Sequence, residues 1–82
     1  MKLHEVDIIV DVREHEEFDE GHLRGAIHIP LFRLTQMPET LTDDQYAIIG
    51  VYCDTGYRSR IAAIYLASVG LMVEDLGRMI NI

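Results

Sequence analysis

Two apolar runs limit what this chain can fold into: "VDIIVDV" from Val6 to Val12 and "YAIIGVYC" from Tyr46 to Cys53. Both are rich in β-branched residues and lack the strict apolar–polar alternation of a half-exposed strand. That is the pattern of strands covered on both faces, as in a parallel sheet. Parallel strands need crossover connections, and the segments around the runs supply them. "REHEEFDEGHLRGA" reads as a short acidic surface helix stopped by Gly21, with Phe18 and Leu23 turned inward. "AIHIP" is a short strand ended by Pro30, and "PLFRLTQM" opens a short helix with proline at a favoured first position. "ETLTDD" makes a turn or a further short helix. Gly50, inside the second run, marks a bulge or a close backbone approach. From Ser59, "SRIAAIYLASVG" places Ile61, Ala62, Tyr65, Leu66 and Val69 at helical spacing, with Gly70 closing the helix and "LMVEDL" forming a last strand. The expectation is a single α/β domain over residues 1–82 with a mainly parallel sheet and helices on both faces. Its ligands should gather beyond the carboxyl ends of the strands.

Cys53, the chain's one cysteine, stands at such an end. A lone cysteine is most often a small buried hydrophobe. Its setting argues for more. A strand is followed by a loop from Cys53 to Arg58 and a helix expected from about Ser59, so backbone amides and a helix terminus would turn toward the sulfur and favour its thiolate. Gly56 permits the turn, Ser59 is suited to cap the helix, and Arg58 and Arg60 add positive charge.

Fourteen acidic residues against seven basic give a net charge of -7, a field that disfavours nucleic acid and anionic membranes as partners. The amino-terminal apolar run is too short for a secretory signal or a membrane span, and an unpaired thiol suits a reducing compartment, so cytoplasm is expected. His4, His15, His22 and His28 match no zinc spacing, and no metal site is expected. Asp11 either faces the Cys53 loop from the end of its strand or caps a helix or turn. Arg13 and Glu17, four residues apart, are expected to pair along the short helix in a structural role.

These residues resemble the rhodanese family of sulfurtransferases. "CDTGYRS" is similar to that family's Cys-x-x-x-x-Arg loop at Cys53, Gly56, Arg58 and Ser59. Upstream, "DVREHEEFDEGHLRGAIHIP" resembles a second family signature at Asp11, Arg13, Glu17, Gly21, His22, Gly25, Ala26, Ile29 and Pro30. The resemblance implies a rhodanese-like three-layer fold, here shortened at both ends. It implies that Cys53 carries a persulfide, taking sulfane sulfur from thiosulfate or a polysulfide donor and giving it to cyanide, a thiol or a protein acceptor. In that family Asp54, Thr55, Gly56, Tyr57, Arg58 and Ser59 would form the binding loop, Asp11 and Arg13 would support it, and no metal or organic cofactor is required. Related phosphatases carry arginine six positions after cysteine; here that position is Ser59, which argues against phosphatase chemistry. Asp54 sets a negative charge beside the nucleophile, where the family commonly has a neutral or basic residue, and so opposes an anionic donor. Together with the short ends and the acidic stretch from Glu14 to Glu20, it motivates a competing reading: a non-catalytic or sulfur-carrier module that docks a protein partner.

Overall fold

A computed structural model describes residues 5–36 and 41–82. In chain order the elements are β1 (Ile8–Asp11), α1 (His15–Glu20), β2 (Ile27–His28), α2 (Leu31–Leu34), β3 (Ile48–Cys53), α3 (Tyr57–Ser68), β4 (Met72–Arg78) and a closing 3₁₀ turn (Met79–Asn81). The four strands form one sheet in the order β2-β1-β3-β4, and every pair is parallel. The two apolar runs thus become the two central strands. Four-residue β1 and six-residue β3 run in register from Ile8 opposite Ile49 to Asp11 opposite Tyr52.

Alternation along a strand sends neighbouring side chains to opposite faces. On one face Val10, Val12, Ile49, Val51 and Cys53 pack with Leu34 of α2 and with Ala62 and Leu66 of α3, forming the core. The other face carries Ile9, Asp11, Gly50 and Tyr52. There the end of α1 and the loop after it reach over the strand ends: Arg13 donates to the Gly21 carbonyl at 2.6 Å and the Leu23 amide donates to the Tyr52 hydroxyl at 3.0 Å. Val6, Ile9 and Ile48, toward the amino ends of the strands, and Leu76 further along β4 are only half-buried.

Gly50 answers to close packing. A Cβ built there would lie 2.8 Å from Leu76 Cδ1 and 3.1 Å from both Val6 methyls. The sheet irregularity lies further on. Val51 pairs with Asp75 but Tyr52 pairs with Gly77, leaving Leu76 as an extra residue in β4.

Helix α3 begins two residues earlier than the sequence suggests, because Gly56 at φ 90° already turns the chain into it. It ends near Gly70, whose φ of 92° suits a helix stop. Phe18 does not enter the core; its ring stacks on His22 and His28 at centroid distances of 3.7 and 4.6 Å. The described part of "ETLTDD" is a turn, with the Thr42 hydroxyl accepting from the Asp44 amide and the Asp44 carboxylate from the Tyr46 amide. Residues 39 and 40 of that segment, and His4, lie outside the described residues. Among the described residues, no helix is long and apolar enough to cross a membrane.

Candidate active site around Cys53

Strand β3 delivers Cys53 to its carboxyl end, three residues bend the chain, and α3 begins at Tyr57. The sulfur accepts hydrogen bonds from the Gly56 amide at 3.0 Å and the Ser59 amide at 3.3 Å. Ser59 is therefore not the helix cap. It sits buried in the first turn, its hydroxyl bonded to the Gly56 carbonyl at 3.2 Å, and its contribution is a backbone donor. Thr55 holds the loop through its hydroxyl, which accepts from the Tyr57 amide at 3.3 Å. Asp54, Thr55 and Tyr57 are exposed, whereas Cys53 is 0% exposed and lies beneath its loop. A thiol held by two convergent amides resembles an anion cradle more than core filler.

Arg58 does not point a free charge at the sulfur. Its guanidinium binds both carboxylate oxygens of Glu17, at 2.7 and 2.9 Å. The expected Arg13–Glu17 pair is absent because Arg13 precedes α1 and turns back to Asp11. Glu17 also accepts from the Glu14 amide at 2.9 Å, so one carboxylate caps α1 and anchors the loop of α3. The Arg58 hydrogen bonds lower the Glu17 carboxyl to about 2, and the same contact raises Arg58 above its ordinary value.

Asp11 stands on the face opposite Cys53. Its Oδ1 accepts from the Arg13 amide and Nε at 2.9 and 3.0 Å. Its Oδ2 accepts from Arg13 Nη2 and from the Tyr52 hydroxyl, each at 2.8 Å. Of the two roles open to Asp11, the structure shows turn capping, extended into a buried clamp. Burial by itself would raise the Asp11 carboxyl, but the Arg13 and Tyr52 hydrogen bonds outweigh it and hold the group below its usual value. Burial pushes the Tyr52 hydroxyl up to about 12, and its bond to Asp11 adds to the rise. Asp11 and Arg13 thus hold the side chain of Tyr52, the residue before Cys53.

Three participants escape the sequence reading. Helical spacing pairs Glu17 with Arg13, whereas the fold brings it to Arg58. Tyr52 carried a signal, since a polar aromatic inside a buried strand needs a partner for its hydroxyl. Arg78, whose Nε lies 3.4 Å from the Asp54 carbonyl, carried none, because its position depends on strand register. Arg60 is exposed and its side chain makes no hydrogen bond or ion pair among the described residues.

Comparison with known proteins agrees with this geometry. A solved structure described as rhodanese with anions from E. coli superposes with a TM-score of 0.85 at 33% identity, covering 92% of this chain and 89% of that one. The thiosulfate sulfurtransferase PspE of Escherichia coli (strain K12) is 34% identical over 74 residues, which are 89% of this chain and 71% of PspE. The tRNA uridine(34) hydroxylase of Bordetella pertussis is 35% identical over 68 residues, and there the chain spans only 28% of its relative's length. A cysteine cradled after a central parallel strand, its loop arginine bound to a glutamate of the upstream motif, is therefore accompanied by a match to the rhodanese-like domain over residues 1–78, and the chain belongs to that family.

Proposed function

We propose that this protein is a sulfurtransferase working through a persulfide on Cys53. The observation that carries the reading is the pair of amide donors on the Cys53 sulfur at the carboxyl end of β3. The cysteine thiolate attacks the outer sulfur of thiosulfate, or the terminal sulfur of a persulfide or polysulfide. A sulfur–sulfur bond forms as the donor's own breaks, and sulfite or the shortened donor leaves with the electron pair. Cyanide, a thiol or a protein acceptor then attacks the outer sulfur of the persulfide and regenerates the thiolate. No electrons enter or leave, and no step calls for a metal or organic cofactor. Amides that hold the resting sulfur are placed to hold the charge of the persulfide as well. The single cysteine suits a reducing compartment, and we extend the proposal to the cytoplasm.

The full burial of Cys53 favours a second reading, a non-catalytic or carrier module that docks a protein, because a donor reaches the sulfur only when the loop yields. The deciding experiment incubates the protein with thiosulfate and cyanide and follows thiocyanate, beside Cys53→Ser, while intact mass is read after donor alone. Thiocyanate above the mutant's level supports the enzyme. A gain of one sulfur mass without turnover indicates a carrier. Neither signal, with several donors, excludes both sulfur readings and leaves the docking module.

A further inference from the structure

The capacity of the Cys53 loop to receive an anion is largely committed before any donor arrives. The Gly56 and Ser59 amides serve the sulfur itself. Arg58 is held by both oxygens of Glu17, which leaves that pair close to neutral. Asp54, exposed at the loop's start, adds a negative charge. An anionic sulfur donor would face an unfavourable edge unless another cation stood there.

Arg78 stands there. Strand β4 ends with Arg78 directly opposite Cys53, and the irregularity after Val51 is what places it so. Were Leu76 not extra, regular pairing from Val51 and Asp75 would put Gly77 opposite the cysteine. Bulges re-aim side chains near functional sites in this way. The Arg78 side chain lies along the loop: its Cγ is 3.5 Å from where a Cβ on Gly56 would stand, and its Nε is 3.4 Å from the Asp54 carbonyl. The residue is exposed and has no ion-pair partner among the described residues, the Asp54 carboxylate included. The planar fork of a guanidinium matches an oxoanion better than an ammonium does.

We propose that Arg78 is the specificity residue for anionic donors, its guanidinium taking the oxoanion end of a thiosulfate-class molecule while the outer sulfur lies on Cys53. This inference rests on the sulfurtransferase reading, and its test is chosen to fail separately from it. The chain's one cysteine allows alkylation to report on Cys53 alone. Anionic iodoacetate and neutral iodoacetamide attack the same sulfur, so the ratio of their rates measures the local field with accessibility cancelled.

At low salt Arg78→Gln should lower that ratio about threefold, the size of one unit charge a few ångströms away across solvent. Arg78→Lys should restore most of it, and Arg60→Gln should leave it at the wild-type value. In the thiosulfate assay, Arg78→Gln should raise KM more than it lowers kcat. An unchanged ratio in Arg78→Gln, or an equal fall in Arg60→Gln, overturns the role of Arg78 even if the wild type produces thiocyanate. A wild type that makes no thiocyanate overturns the sulfurtransferase reading instead, while the ratio still decides whether Arg78 presents charge to anions. Failure of Cys53 to react with either reagent overturns the role of Arg78, since no anion is then drawn to the sulfur, while thiocyanate formation still decides the sulfurtransferase reading.

Discussion

At the scale of single residues, the site depends on two ion pairs with different jobs. Asp11 and Arg13 are both buried, and the pair is tied into Tyr52 and the Gly21 carbonyl. Asp11→Asn keeps the shape but strands a buried guanidinium, so it should cost about 3 kcal/mol in chemical denaturation, a large part of a small domain's stability. A loss below about 1 kcal/mol would show that the clamp is dispensable. The Glu17–Arg58 pair is about a quarter exposed, at 28% and 25%, and is worth less, about 1 kcal/mol. Its signature is in the pH dependence. Glu17 is lowered from 4.5 to about 2, so in that window the unfolded chain binds the proton first. Its contribution is complete above about pH 4.5 and fades as pH falls toward about 2. Asp11, also lowered, loses stability in the same direction. Urea midpoints should therefore fall steeply across acid pH, and Glu17→Gln should flatten the fall in part. A slope identical to wild type would remove Glu17 from the account.

At the scale of elements, the Cys53 loop works because β3 ends, the chain reverses and α3 begins within three residues. Gly56 makes this possible with a φ of 90° that other residues resist. Gly56→Ala meets only ordinary contact, the Arg78 Cγ at 3.5 Å, so its cost of about 1 kcal/mol is backbone strain rather than a clash. The Gly56 amide also donates to the sulfur; alanine keeps that N–H but resists the φ that aims it, so the variant should alkylate at Cys53 several-fold more slowly than wild type with iodoacetamide. Wild-type rates would show that the left-handed turn at Gly56 is not what sets the reactivity of the thiol. Most elements were legible in the sequence, since apolar runs, prolines and helical spacing act over short distances. The helix start was not. Ser59 has the chemistry of a cap, but a left-handed Gly56 three residues earlier takes that place and leaves Ser59 inside the turn.

At the scale of the whole molecule, a net charge of -7 repels any anionic donor before it meets the loop. Salt screens that field, the Debye length falling from about 30 Å at 0.01 M to about 8 Å at 0.15 M. kcat/KM with thiosulfate should therefore rise with added salt, opposite to what a site governed by an open cationic surface would show. Falling values would place the controlling charge at the site itself. What the sequence alone determined is local: two buried parallel strands, a cysteine at the end of one, a glycine turn and an arginine five positions on. Each follows from periodicity or from spacing within a few residues. The tertiary structure decided the partners. Glu17 meets Arg58 across 41 residues, Tyr52 meets Asp11 across 41, and Arg78 faces Cys53 only through a register shift in β4. Such contacts depend on how strands pair and which face each side chain takes. One extra residue in β4 therefore decides whether a glycine or an arginine stands beside the sulfur.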